Sequence, residues 1–455
     1  MAIQSKNPAT LEIIKDFVEL SPEALEQKIT DAQTAFIAWK ETSFQERTSL
    51  LRAHAVYLRN HAEELALCAS IEMGKTKKAA LVEVEKCASV CEYYADNVQR
   101  FLSSEEIHSS ATENYVSFEP LGVVLAVMPW NFPYWQVYRF AAPALMAGNV
   151  GLLKHASNVP QCAEAIENAF LQSGFPKGVF QNLLVGSSRV ENIIRDHRVM
   201  AVTLTGSEKA GKSVASIAGD EIKKTVLELG GSDPFIVLAD ADIEAAAEDA
   251  MIGRMQNNAG QSCIAAKRFI IEASVSEQFT RALTKHFEQL VVGDPLIPET
   301  MVGPLATEQG LLDVERQVNE SVAKGATILY GAKRVGDKGY FYAPTVLSNV
   351  KKGMPVYDEE VFGPVAPIII VANEDEAIQI ANDTPFGLGA TIFTKDIKRA
   401  KKLASKIESG NVFINGFVRS DSRSPFGGIK HSGYGRELSS YGIKEFVNIK
   451  NIWIK

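Results

Sequence analysis

The chain has 455 residues, 47 basic and 55 acidic side chains and a formal net charge of −8, with 46% hydrophobic and 22% charged residues. That balance excludes wholesale disorder and collagen-like repeats, and it offers no basic footprint for nucleic acid or an anionic membrane surface. At roughly 100–200 residues per domain, the length implies two or three domains. The opening MAIQSKNPAT lacks the basic and apolar regions of a signal peptide. No apolar run reaches the roughly 18–20 residues that span a bilayer. The cysteines Cys68, Cys87, Cys91, Cys162 and Cys263 are odd in number, thinly spread and without a CxxC pair. They predict neither a disulfide framework nor a metal site, and a reducing, cytoplasmic compartment. Cys87 and Cys91, four apart on one helix face, read as small core residues.

From Ser21 to Phe101 apolar residues recur at helical spacing, in PEALEQKITDAQTAFIAWK and again in RTSLLRAHAVYLRNHAEELALCASIEMGK. Ser21 before Pro22 and Glu23 predicts a helix N-cap, and Gly74 predicts the end of the second helix. Ser103–Pro120 turns polar and then alternates in NYVSFEP, which predicts strands. A β/α alternation follows. GVVLAVMP, NVGLLKH, GVFQNLLVG, MAVTLTGS and KTVLELGG read as buried strands, with a helix over Trp135–Met146 between the first two. A second series starts near Ser232 with PFIVLA, RFIIE, APTVLS and PVAPIIIV, so two α/β units with doubly wound parallel sheets are expected, joined near Glu228–Ser232. The tail FVNIKNIWIK alternates like an exposed strand.

Three segments carry candidate chemistry. In NNAGQSCIAAKR, Cys263 follows a small-residue approach and precedes a strand; a lone cysteine is structural unless a base and an oxyanion donor accompany it. In LELGGSDP, Glu228 ends an apolar strand, where a carboxylate is either a solvated loop residue or, if buried, a base with a raised pKa. In PWNFP, two prolines bracket Asn131, so the turn is either rigid packing or a preorganised amide donor for an oxyanion.

The ordered set PWNFP, LTGS, LELGGSDP, GQSC, EEVFGP and PFGG resembles the aldehyde dehydrogenase superfamily, from about Asn7 to Lys455. The resemblance implies that fold: a Rossmann-type cofactor domain (1–102 and 121–229), an α/β catalytic domain (230–434) and oligomerisation strands (103–120 and 435–455). It implies Cys263 as nucleophile, Asn131 with the Cys263 N–H as oxyanion donors, and Glu228 as the base that activates water. Glu360 matches the ribose-binding glutamate, and Phe362 and Trp130 the walls at the nicotinamide side. In LTGSEKAG, Gly206, Ser207 and Gly211 do not form GxGxxG, yet they match the family's strand–turn–helix variant, with Ser207 and the helix N-terminus at the pyrophosphate.

Cofactor and substrate readings follow from departures within the motifs. Lys154 matches the lysine that contacts the adenosine ribose. Three residues on, NAD-using members carry a glutamate, and Ser157 stands there instead. A hydroxyl removes the repulsion of a 2′-phosphate, which favours NADP over NAD. His155 occupies a position where proline is common and has no evident role. Trp135 and Arg139 share a helix face in PWNFPYWQVYRF, and in this family that helix lines the aldehyde tunnel. Arg139 is then either a structural ion-pair partner or a clamp for a distal carboxylate, with Ser420 approaching from the loop NGFVRSDSRSPFGG. These segments most resemble bacterial succinate-semialdehyde dehydrogenases. Alternatives are another semialdehyde, a broad range of aliphatic aldehydes, or a non-catalytic relative. The tail and the Ser103–Pro120 hairpin imply a homodimer or homotetramer.

Overall fold

The computed structural model describes residues 3–255 and 257–455. A hairpin, β1 (Ile3–Lys6) and β2 (Ile13–Phe17), precedes four helices: α1 (Pro22–Trp39), α2 (Phe44–Asn60), α3 (Ala62–Met73) and α4 (Lys77–Leu102). Ser21 caps α1, its hydroxyl accepting from the Ala24 N–H at 3.2 Å. The second helical stretch differs from its sequence pattern, because it divides at His61 (φ −110°, ψ 16°). The His61 Nδ1 lies 2.9 Å from the Tyr57 carbonyl and its ring stacks on Tyr57 at 3.9 Å. Such local bonding offers the backbone an alternative to a continued helix. Gly74 therefore ends α3, in the left-handed region at φ 82°.

After β3 (Glu105–Glu106) and β4 (Glu113–Pro120), the alternation runs β5 (Val123–Met128), α5 (Trp135–Met146), β6 (Val150–His155), α6 (Pro160–Gln172), β7 (Phe180–Asn182), α7 (Val190–Arg195), β8 (Val199–Thr205), α8 (Glu208–Asp220) and β9 (Lys224–Glu228). The second series is β10 (Asp233–Val237), α9 (Ile243–Met255), β11 (Ala266–Glu272), α10 (Ala273–Glu288), α11 (Glu308–Ala323), β12 (Thr327–Tyr330), β13 (Thr345–Ser348), β14 (Val365–Val371), β15 (Gly389–Phe393) and β16 (Asn411–Ile414). Short β17 (Gly433–Tyr434) and the terminal β18 (Val447–Ile454) complete the chain. β15 and β16 escape the sequence reading because they are short and the first opens on Gly-Ala rather than β-branched residues.

The first sheet has the order β17-β9-β8-β5-β6-β7, parallel except for the β17–β9 pair. The second has the order β12-β13-β14-β11-β10-β15-β16, parallel except for β12–β13. Strands buried on both faces, such as β6 and β10, are continuous apolar runs because helices cover each side. Cys87 and Cys91 are fully buried in α4.

The strand order reverses at β5, which lies between β6 and β8. In an open α/β sheet, a ligand crevice opens beyond the carboxyl ends of the strands at such a reversal. PWNFP follows β5, Lys154–Ser157 closes β6, Gly206–Ser207 follows β8 and Glu228 ends β9. Cys263 lies in the loop entering β11 of the second sheet. A third sheet, β18-β4-β3, is antiparallel, and β18 pairs along its whole length with β4. The other edge of β18 is free, and Ile449, Trp453 and Ile454 are exposed. Among the described residues, no helix is long and apolar enough to cross a membrane.

Candidate active site

Two cavities meet at Cys263. One, of about 260 Å³, is walled by Lys86, Phe132, Trp135, Arg139, Ile264, Phe417, Ser420 and Phe426. The other, of about 220 Å³, is walled by Trp130, Asn131, Thr205, Gly206, Ser207, Leu229, Glu360 and Phe362. Cys263 and Gln136 line both. The Cys263 side chain thus lies where a small molecule from one side can meet a ligand from the other.

Burial pushes the Cys263 thiol up to about 12, with Arg139 and then Lys267 pulling it back. The loop around it is bolted in place. Lys267, buried in an apolar strand, donates to the Ser262 and Cys263 carbonyls at 2.9 and 2.6 Å and pairs with Glu360 at 3.2 Å. Glu360 also accepts from the Gly231 N–H at 3.1 Å. One lysine therefore couples the cysteine loop to Glu360, a link that sequence alone presents only as a strand lysine.

Asn131 is buried, and its amide donates one N–H to the Gln261 carbonyl at 3.1 Å. Asn258 donates to the Asn131 and Gln261 carbonyls at 2.7 and 3.1 Å, tying PWNFP to the cysteine approach. An amide has two N–H donors, so the second is free for an oxyanion. Glu83, on α4, supplies the missing cap of α5: its carboxylate accepts the Tyr134 and Trp135 N–H groups, each at 2.9 Å, and is ion-paired with buried Lys75. His155 acquires a role here. The Ala156 N–H donates to its Nδ1 at 2.9 Å, so Nε2 carries the proton and donates to the Pro133 carbonyl at 2.8 Å. It pins PWNFP to the end of β6, and burial holds its pKa down to about 4.

Glu228 is 1% exposed, and neither carboxylate oxygen has a hydrogen-bond partner among the described residues. Burial, then Glu437, hold its pKa well above the usual carboxylate range, against Arg139 and Arg436. It lines neither cavity. Its Oε1 instead lies where a Cβ on Gly427 would approach to 2.7 Å, so the glycine leaves room for the side chain to turn. A carboxyl whose folded pKa is raised stabilises the fold at low pH and loses that contribution as pH climbs above the ordinary carboxylate range. Glu228→Gln should therefore gain apparent Tm over the native chain, and the gain should widen as pH rises above the ordinary carboxylate range. Scanning fluorimetry checks this; a difference that is constant with pH would show Glu228 to be ionised in the fold.

Arg139 is 2% exposed and lines the Cys263 cavity with Trp135 and Ser420. Its charge is already matched: the guanidinium is ion-paired with Glu437, donates to the Thr205 hydroxyl at 3.3 Å and lies over Phe426 at 4.7 Å. The ion-pair alternative is realised, so Arg139 is not a free clamp. Two further cations line this wall, exposed Arg419 and part-buried Lys86. The Lys86 ammonium donates to the Ser420 hydroxyl at 2.7 Å, lies 4.1 Å over the Trp135 ring and makes no ion pair among the described residues. Burial lowers its pKa to about 8, with nearby Arg139 adding to the effect. Sequence reasoning missed Lys86 because a lysine among glutamates on an amphipathic helix reads as a solvent face.

On the other side, Ser207 caps α8, accepting from the Ala210 N–H at 3.3 Å, and the helix N-terminus faces the cavity. Trp130 and Phe362 meet edge to face at 5.8 Å. Lys154, Ser157 and Gly211 lie outside the cavity wall. Lys154 is buried at the end of β6 and makes no ion pair among the described residues; Ser157 is exposed beside it, and Gly211 is buried against Leu229. A helix N-terminus, an unpaired cation, two aromatic walls and an anchored Glu360 fit a dinucleotide.

The reversed parallel sheet and the cysteine between two clefts define an aldehyde-oxidising dehydrogenase class, and the chain belongs to the aldehyde dehydrogenase family, whose model matches residues 1–452. It is 52% identical over 457 residues to succinate-semialdehyde dehydrogenase (NADP+) 1 of Mycobacterium tuberculosis and 51% identical over 457 residues to succinate-semialdehyde dehydrogenase (NADP+) of Mycobacterium leprae, all of both chains being covered in each case. A crystal structure of succinic semialdehyde dehydrogenase from Streptococcus pyogenes in complex with NADP+ superposes with a TM-score of 0.97 at 40% identity over the whole of both chains.

Proposed function

We propose that this enzyme oxidises succinate semialdehyde to succinate with NADP. The observation that carries the substrate is the Lys86–Ser420 pair on Trp135: a part-buried cation with no ion pair among the described residues, on the wall of the cavity that Cys263 also lines. A four-carbon aldehyde with a terminal carboxylate can place its carbonyl at Cys263 and its charge at Lys86. The relatives named above support the same substrate.

Cys263 attacks the aldehyde carbonyl, giving a thiohemiacetal whose oxyanion is held by the second Asn131 N–H and the Cys263 N–H. Ser207, Lys154, Ser157 and Glu360, with Trp130 and Phe362 as walls, would hold NADP, which would supply the acceptor for the hydride. Collapse gives a thioester on Cys263. Glu228 turns past Gly427, takes a proton from water and so hydrolyses the thioester; its raised pKa suits it to that task near neutral pH. The domain boundaries given above, a homodimer or homotetramer closing the free edge of β18, and a cytoplasmic location belong to the same proposal.

The test is steady-state kinetics with succinate semialdehyde and butanal, each with NADP and NAD. The semialdehyde–NADP pair should give the highest kcat/KM; equal values for both aldehydes would favour the broad-range alternative. Ser157→Glu should lower kcat/KM for NADP about 10- to 100-fold by like-charge repulsion at a partly screened site, with NAD far less affected. An unchanged NADP/NAD ratio would show that Ser157 does not read the cofactor.

A further inference from the structure

Away from the nucleophile, α3 and the first turn of α6 bring two thiols together. Cys68 Sγ and Cys162 Sγ are 3.6 Å apart, and Cys68 Sγ is 4.0 Å from Glu72 Oε2. Cys68 is partly exposed and Cys162 is buried, so Cys68 is the more accessible of the two. Glu72 is fixed in the site by the Gln161 and Cys162 N–H groups, each donating at 2.9 Å. With both of its oxygens so engaged and no fourth donor in the cluster, the set is poorly arranged for a metal ion. Cys87 and Cys91 have no such entrance, being fully buried.

We infer that Cys68 and Cys162 form a second thiol centre, a redox-modification site that becomes an intramolecular disulfide by exchange with a small disulfide such as glutathione disulfide. Cys68 Sγ attacks one glutathione sulfur, its proton passing by way of Glu72 to the departing thiolate. The glutathione S–S bond breaks and a Cys68–glutathionyl bond forms. Cys162 Sγ then gives its proton to Glu72 and attacks Cys68 Sγ. The second glutathione leaves and takes that proton. Two protein thiols are oxidised and one glutathione disulfide is reduced to two thiols. Contact distance becomes a covalent bond of about 2.05 Å, so the sulfurs must close by roughly 1.5 Å, a shift within reach of one helix turn. Burial keeps the Cys162 thiol protonated in the resting protein, so it acts as the resolving partner, and partly exposed Cys68 as the point of entry. The bridge ties α3 to α6 just beyond the turn that carries Ser157 and leaves Cys263 out of the exchange.

The experiment incubates the full-length Cys263→Ala chain with glutathione disulfide, which removes the nucleophile from the thiol count. We expect the loss of two titratable thiols, a mass lower by two hydrogens, and a non-reduced peptide linking Cys68 to Cys162, all reversed by dithiothreitol. Cys162→Ser in the same background should stop at Cys68 carrying a glutathionyl group, and Cys68→Ser should stay unmodified. A chain that keeps its thiols, a stable glutathionyl adduct at Cys68 with Cys162 present, or a bridge to Cys87 or Cys91 would each overturn the inference.

Discussion

Cys263→Ala is expected to abolish aldehyde oxidation, with kcat falling by about 10⁴-fold or more, as in enzymes that lose their only covalent nucleophile. Dinucleotide binding should survive, because Ser207, Lys154 and Glu360 are held by elements that the sulfur does not touch. Lys267 grips the Ser262 and Cys263 carbonyls rather than the thiol, so the loop and its grip on Glu360 should persist in the variant. Fluorescence titration with NADP beside a steady-state assay separates the two. Residual turnover within tenfold of the native enzyme would mean that another group forms the covalent bond.

The second large effect is expected at Lys86. Lys86→Met keeps the aliphatic stem over Trp135 and removes the charge. With succinate semialdehyde, kcat/KM should fall about 10- to 100-fold, and mainly through KM if the carboxylate is held equally in the ground and transition states. Butanal should lose little, since it never presents a carboxylate. The native enzyme carries its own control. With a pKa lowered to about 8, Lys86 is charged below that pH and neutral above it. The semialdehyde-to-butanal ratio of kcat/KM should therefore decline as pH rises through about 8, while the titration of Cys263 cancels in the ratio. Arg139→Ala, by contrast, should depress both aldehydes together, because it leaves Glu437 buried without its partner beside Glu228 and removes the charge that pulls the Cys263 thiol down. A flat ratio in Lys86→Met would move the carboxylate away from this wall.

How much of this was legible in the sequence follows from the range of the forces involved. The parallel sheet of β5 to β9 was written in local apolar runs, and α5 in its periodicity, because burial on both faces leaves a continuous pattern. Asn131, Glu228 and Cys263 stand in short motifs whose order identifies the family, and local residues suffice for that. The contacts that set their behaviour join distant parts of the chain. Nothing near Arg139 announces Glu437, and nothing near Lys86 announces Ser420. Glu83 and Lys75 read as ordinary helix charges, yet both are buried, Glu83 capping α5 and Lys75 pairing with it. His155 looked anomalous until its two ring nitrogens found the Ala156 N–H and the Pro133 carbonyl. The break at His61 was also hidden, since it arises from a side chain bonding one turn back rather than from a glycine or proline. Sequence pattern thus specified the frame and the candidate reacting groups, and tertiary pairing decided which charges were free.

The most direct test of the central claim is intact mass spectrometry of Glu228→Gln after mixing with succinate semialdehyde and NADP. The account predicts one rapid turnover of NADPH per active site and then a stalled chain carrying a succinyl group, located on the Cys263 peptide and released by hydroxylamine. Continued turnover at the native rate with no adduct would contradict it, removing Glu228 as the deacylating base; a succinyl group found on any other residue would remove Cys263 as the nucleophile.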